Sequence, residues 1–443
     1  METVLDEIKI EKYPAYKDSG VEWLGEIPDH WNLTKLGTIL NPVSKKNHSE
    51  LQLLSITREK GVILRNLDDE EENHNFIPDD LSNYKVLEAG QFGMNKMKAW
   101  QGSYGISKHT GIVSPAYYVF DLFGNFDPAF FHLAIRSRLY VSFFGSASDG
   151  VRVGQWDLSK SRMKEIPFLV PPIEEQTAIA QFLDRKTTLI NKAIAIKEKQ
   201  IELLNERRQI LIHNAVTRGL NPNVRMKDSG VEWIGEIPEH WEIKRLKELC
   251  KAYGRIGFRG YSTSDLVNEG EGAITISPSN IKDDEMNFER CSYLSWTKYE
   301  ESPEIKIFEN DILMVKTGSS YGKVGLVKNI PQKSTINPQL LVLKEVQINT
   351  DYFYELLKSN IVQLQVARGI TGSTIPTISE NKILKFKVSI PPDTEIVSII
   401  KHINAVKQKF EDPIKLKYLE IEKLKEYKSS LIDSAVTGKI KVF

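Results

Sequence analysis

Between Pro172 and Gly219 the chain holds neither glycine nor proline, and Ala, Leu, Ile, Lys, Glu and Gln dominate. Alanine and straight-chain residues lose little freedom in a helix, so this run predicts one long helix or two in series. A second run of the same kind spans about Thr394 to Thr437, where Asp412-Pro413 reads as an N-cap and first helical residue that restart the helix. At an offset of 220 the two runs share a row of positions spaced alternately four and three apart. It reads Ile190, Ile194, Lys197, Ile201, Leu204, Arg208, Leu211, Ala215 in the first, and Phe410, Ile414, Lys417, Ile421, Leu424, Lys428, Leu431, Ala435 in the second. That spacing is a coiled-coil seam, and the two helices are expected to pack on each other, antiparallel, within the chain. Basic residues interrupt both seams at the same two places, which is costly unless a partner specifies the register. A helix from Ile190 to Ala215 would rise roughly 39 Å at 1.5 Å per residue.

The stretches between these runs have a different period. Leu51 to Thr57, Gly111 to Phe120 and Lys164 to Val170 are short apolar runs with β-branched residues, broken by Gly, Asn and Asp, which predicts a small α/β globule. The change falls at double prolines, Val170-Pro171-Pro172 and Ile390-Pro391-Pro392. Each globule also opens on nearly the same words: KDSGVEWLGEIPDHW at Lys17 to Trp31, KDSGVEWIGEIPEHW at Lys227 to Trp241. Ala215-Val216-Thr217 and Ala435-Val436-Thr437 close the two copies alike. The expected fold is therefore α+β, a tandem pseudo-two-fold repeat of two globules joined by the two long helices. Residues 1–16 form an N-terminal extension, 17–171 the first globule, 172–226 the central helical region, 227–391 the second globule and 392–443 the C-terminal helical region. The repeated opening, acidic and aromatic, reads as a lead-in that packs on the helices.

Composition narrows the functions. Formal net charge is zero, from 59 basic and 59 acidic residues, so any nucleic-acid binding must come from local patches rather than overall charge. Two cysteines, Cys250 and Cys291, both in the second copy, cannot staple both modules and fit a reducing compartment. No apolar run of spanning length occurs, and a soluble, cytoplasmic protein without membrane partners is expected. Catalytic motifs are near misses. Gly318 to Val324 has three residues between its glycines where a phosphate-binding loop has four, and Val where Ser or Thr should follow the lysine. Ser114-Pro115-Ala116-Tyr117 approaches an amino-methyltransferase motif but carries Ala for its second proline and lacks a glycine-rich cofactor segment. The histidines and cysteines show no metal-ligand spacing. Neither catalytic nor metal-binding residues are expected in this chain.

The repeated DSGVEW-x-GEIP-x-HW opening, the PP-x-EEQ-x-x-IA-x-FLD entry to the first helix (Pro171 to Asp184) and its ending in ELLNERRQ and AVTRGL (Glu202 to Leu220) resemble the specificity subunits of type I restriction-modification enzymes. The likeness covers nearly the whole chain. The second helix entry departs from it, with Ile396 where the first copy has Gln176. The resemblance implies a non-catalytic subunit whose two target recognition domains each read half of a split double-stranded DNA target. It implies two methyltransferase subunits supplying S-adenosylmethionine-dependent adenine methylation, and restriction subunits supplying ATP- and Mg2+-dependent translocation and cleavage. No cofactor is implied in this chain itself. The alternative is a two-lobed protein-binding scaffold, or an orphan subunit without DNA-reading activity.

Base reading requires side chains that reach base edges, supported by groups that grip phosphate. In the first globule Gly93 to His109 alternates basic, amide and aromatic groups with glycines and offers Lys96, Lys98, Trp100, Gln101, Ser103, Tyr104, Ser107 and Lys108. Its expected counterpart is Lys316 to Lys323, with Lys316, Ser319, Ser320, Tyr321 and Lys323. Gly254 to Tyr261 adds Arg255 and Arg259 as preferred guanine readers, with Tyr261 beside them, and Arg152 and Arg368 are candidates for backbone contact. The reading segments differ between the copies, so an asymmetric bipartite target is expected.

Overall fold

A computed structural model of the chain describes residues 11–66, 77–150, 156–282, 285–371 and 375–442. The chain forms two compact units, Met1–Glu198 with Tyr418–Phe443, and Lys199–Lys417.

In the first unit the framing strands are β1 (Asn32–Lys35), β2 (Leu40–Val43), β3 (Phe92–Met94), β4 (Tyr104–Ile106), β5 (Tyr118–Leu122) and β6 (Pro167–Val170). β1 and β6 pair antiparallel from Asn32↔Val170 to Lys35↔Pro167, so the globule begins and ends at one ladder. The antiparallel sheet β2-β5-β3-β4 packs on two helices, Pro128–Ile135 and Arg138–Ser146, through an aromatic core of Phe92, Tyr104, Phe120, Phe130, Phe131 and Phe144. Asp127 starts the first of these helices by accepting from the Ala129 and Phe130 amides, with Pro128 at the position where a missing N–H costs nothing.

The long helices occur as expected, each in one piece: Ile173–Arg218 (the central helix) and Asp393–Val436 (the C-terminal helix). Pro413 lies inside the latter, so the expected restart at Asp412-Pro413 does not take place. An internal proline costs about 3 kcal/mol through its lost N–H and its clash with the preceding turn. Here the ring is exposed, while Phe410 and Ile414 on either side keep the seam buried or half-buried and hold the helix through the break. Seam residues Ile190, Ile201, Ile421 and Leu431 are buried, and Ile194, Leu204, Leu211 and Leu424 half-buried. In the first unit Ile190 and Leu431 share one core, with Ile194 and Leu424 against it. Two of the four basic interruptions meet partners across the seam: Lys197 Nζ meets Glu420 at 2.8 Å and Lys428 Nζ donates to Asn191 Oδ1 at 2.9 Å, an antiparallel register.

The second unit repeats the plan with β7 (Glu242–Arg245), β8 (Lys251–Gly254), β9 (Ile312–Val315), β10 (Val324–Leu326), β11 (Leu340–Lys344) and β12 (Lys387–Ile390). β7 closes on β12 from Glu242↔Ile390 to Arg245↔Lys387, and the sheet order is β8-β11-β9-β10. A five-stranded sheet is added here, with Gly272–Ile276 and Ser334–Ile336 as its parallel pair, and it shares a second core with β9 and β11. Ala215 and Val216, at the end of the central helix, share a core with Ile396, Ile399 and Ile403 at the start of the C-terminal helix, again antiparallel.

The duplicated opening is a structural clip in both units. Trp31 is fully buried and donates through Nε1 to Glu175 Oε2 at 2.9 Å, while His30 Nε2 meets Glu175 Oε1 at 2.6 Å. Trp241 and His240 meet Glu395 in the same way, at 3.1 and 2.7 Å. Each tryptophan lies against the glycine that ends a long helix in the left-handed region, Gly438 (φ 73°) for Trp31 and Gly219 (φ 77°) for Trp241. The departure at the second helix entry has a structural counterpart. Buried Gln176 bonds the Asp127 amide and the Pro171 carbonyl at 3.0 and 2.9 Å, whereas Ile396 at the matching place is a plain core residue.

Candidate nucleic-acid interface

The two reading segments are the tips of equivalent hairpins. β3 pairs with β4 through Met94↔Tyr104, and β9 with β10 through Met314↔Val324, so the offset of 220 that aligns the helices also aligns these strands. Lys96 and Lys316 each lie two residues beyond the paired methionine. Gly102 (φ 91°) and Gly322 (φ 80°) occupy the matching place before the return strand, where only a residue tolerant of the left-handed region fits without strain. Between these fixed points the tips differ. In the first, Asn95 caps a 3-10 turn over Lys96–Gln101 by accepting from the Met97 amide at 3.2 Å. In the second, the Ser319 and Tyr321 side chains stand exposed on an irregular loop between two glycines of positive φ, Gly318 and Gly322.

The sequence profile described as "Type I restriction modification DNA specificity domain" matches residues 127–206 and 238–422, more than half of the chain. The chain belongs to this family. Among relatives, the type I restriction enzyme MjaVIII specificity subunit of Methanocaldococcus jannaschii is 25% identical over 70% of this chain and 70% of its own length. The EcoBI specificity subunit of Escherichia coli is 21% identical over 63% of this chain and 58% of its own. A solved chain from a type I R-M system, described for complex assembly and conformational transition, superposes with a TM-score of 0.64 at 14% identity over 93% of this chain and 98% of that one. At that identity the likeness is one of fold. Among the described residues, no helix of this specificity subunit is long and apolar enough to cross a membrane.

Several expected reading residues are interior. Tyr104 lies in the core, its ring 4.5 Å from Phe144, because in β4 its side chain faces the helices. Ser103 and Ser107 are also buried, and Ser107 Oγ is occupied by the carbonyl and amide of His109. The largest correction concerns Arg255, which is 6% exposed. Its guanidinium bonds Ile336 O at 3.2 Å, Thr335 Oγ1 at 3.1 Å and Arg259 O at 3.4 Å, and stacks over Tyr261 at 5.2 Å. The glycine-rich loop folds onto the added sheet and commits this arginine to a strand carbonyl, a strand hydroxyl and a carbonyl of the loop itself, so it does not present a free fork to guanine. Arg259 is half-buried and paired with Glu304 at 3.3 Å. Arg368 stacks over Trp233 of the repeated opening, at 5.5 Å. Arg152 lies outside the described residues.

Lys98, Lys108, Ser319, Tyr321 and Lys323 are exposed, and Trp100, Gln101 and Ser320 half-buried, so a polar, basic and aromatic surface remains at each tip. Trp100 is braced by Trp156, their ring centroids 5.1 Å apart. Lys323 donates to the Ile281 carbonyl. Lys96 meets Asp157 at 2.9 Å and Lys316 meets Glu380 at 2.8 Å. Sequence reasoning missed these acids because each joins its lysine from about sixty residues away. Carrying the offset of 220 from the helices into the hairpins would have equated the lysines and pointed to their shared surroundings.

Behind the first tip, Arg136 donates to four carbonyls, those of Gly102, Tyr104, Arg58 and Glu59, and so ties the hairpin to the neighbouring turn. In the second unit Gln363 donates to Gly322 O at 3.0 Å and Leu357 O at 2.8 Å. His132 completes the first tip's support by accepting from the Ile106 amide at 3.1 Å on the open edge of β4. Burial, then the Arg136 and Lys108 charges, push its imidazole down to about 4. The unfolded chain takes up this proton near pH 6.5, the folded unit only near 4, so stability falls as pH drops between those values. Between pH 7.5 and 5.0 the loss from this residue is about 2 kcal/mol. Urea unfolding at the two pH values should show it, and His132→Gln should flatten the difference.

Proposed function

We propose that this specificity subunit is a non-catalytic DNA reader that recognises an asymmetric bipartite target, one half per unit. The observation that carries this reading is the pair of equivalent hairpins, built on the same sheet order and a matched glycine before the return strand but presenting different side chains. A common scaffold with different tips suits two different half-sites better than a palindrome. The subunit then recruits two methyltransferase subunits, which bring S-adenosylmethionine for adenine methylation, and restriction subunits, which bring ATP and Mg2+. Exposed Leu189 and Ile196, seven residues apart on the central helix within the first unit, support docking of a partner helix.

The test is single-molecule methylation sequencing of DNA from cells expressing this chain with its neighbouring methyltransferase, against methyltransferase alone. Methyladenine that depends on this chain and falls in a split, non-palindromic motif is the expected result. An uninterrupted palindrome would refute the asymmetric target. Absence of new methylation from a stable, active complex would favour a protein scaffold.

A further inference from the structure

At both hairpin tips the lysine at the matched position, Lys96 or Lys316, is already neutralised by an acid of the same unit. Asp157 lies just before the short helix Lys160–Glu165, and Glu380 is the first residue of the short helix Glu380–Ile383, so both acids come from the segment that leads back to a long helix. In the second unit this segment is also bonded to the tip through the backbone, Ile378 N to Lys316 O at 2.9 Å and Gly318 N to Pro376 O at 3.0 Å. The strand beneath is shaped around the pair: a Cβ on Gly254 would come within 2.1 Å of Glu380 Oε1 and 2.6 Å of Lys316 Nζ. These pairs are not incidental surface contacts, since the same pairing recurs at the same hairpin position in both units with different acids.

An acid beside a DNA-reading lysine has a cost, because it repels phosphate and cancels the cation that releases counterions. It also has a use. A lysine neutralised from within gains little from an arbitrary duplex, and only a well-placed acceptor can exchange for the carboxylate. The exchange strands no buried charge, because the Asp157 and Glu380 side chains keep 56% and 35% of their exposure and can be hydrated once released.

We propose that Asp157 and Glu380 are positioning residues that hold Lys96 and Lys316 and withhold their charge from non-target DNA, so that each unit discriminates by exchanging an internal carboxylate for an acceptor on the matching duplex. This rests on the DNA-reading function proposed above. The test measures binding of the complex with its methyltransferase subunits to target and unrelated duplexes across a salt series. For the double variant Asp157→Asn with Glu380→Gln, affinity for unrelated duplex rises about tenfold at low salt and the log–log salt slope steepens by up to about 0.9 per freed lysine. Target affinity stays nearly constant, so the specificity ratio falls by up to about tenfold. Asp157→Glu and Glu380→Asp restore much of the ratio, and Lys96→Met with Lys316→Met weakens target binding and flattens the slope. If slope and ratio stay at wild-type values, or both duplexes lose affinity equally, the acids are merely structural and the proposal fails. A wild-type complex that does not distinguish target from unrelated DNA would instead remove the DNA-reading function, and the proposal with it.

Discussion

Trp31→Ala is expected to destabilise the unit it belongs to by about 3–5 kcal/mol, a large part of the roughly 5–15 kcal/mol that usually holds a domain folded. The side chain is fully buried in one core with Ile179 near the start of the central helix and Ala435 and Val436 at the end of the C-terminal helix. Removing it opens a cavity where three segments far apart in sequence meet, and it deprives Glu175, bonded also to His30 and Tyr13, of its indole donor. Trp241→Ala should do the same around Glu395. Trp31→Phe keeps much of the volume and loses the hydrogen bond, so about 1–2 kcal/mol is expected. Thermal unfolding gives the overall loss, and hydrogen exchange by mass spectrometry gives its place: for Trp31→Ala the largest loss of protection should fall within residues 11–198 and 418–442. A change below 1 kcal/mol would show that the repeated words serve something other than folding.

The clip and the seam were legible because each is written twice, and each second copy confirms the spacing of the first. Lys96 and Lys316 could be matched from a lysine followed by Tyr-Gly, although Tyr104 belongs to a buried strand and Tyr321 to an exposed loop. What stayed illegible depends on contacts between distant segments. Arg255 in a glycine-rich loop looks free until the strand Ser334–Ile336, some eighty residues later, supplies its acceptors. Asp157 and Glu380 look like ordinary acids near the starts of short helices until the hairpins arrive beside them. Pro413 carries a local stop signal, which the seam overrides through burial that no local window contains.

Exchange of residues 32–170 for the same region of a relative should change one half of the methylated motif and leave the other half intact. The exchanged segment begins and ends on partners in one ladder, Asn32↔Val170, so its ends are already adjacent and its insertion needs no new chain path. The core it carries is largely its own, since Phe92, Phe120, Phe130, Phe131 and Phe168 all lie within it. Contacts that cross its boundary must be kept, among them the Asp127 amide to Gln176 at 3.0 Å, Thr177 Oγ1 to Asp127 Oδ2 at 3.1 Å, the Arg138 amide to Asp433 Oδ1 at 2.9 Å and the stack of Trp23 on Phe143 with 4.5 Å between centroids. A relative with a helix start at each place preserves the backbone donors, whatever its reading residues. The hairpin of the second unit, with Lys316 and Tyr321, lies wholly outside the exchanged segment and keeps its sheet, its glycines and its acid. Methylation sequencing of the chimera with the same methyltransferase subunits therefore separates the two readings of the repeat. A motif with one new half and one old half means that each globule reads alone. A motif altered in both halves would mean that the reading surface is shared, and the modular account would fall.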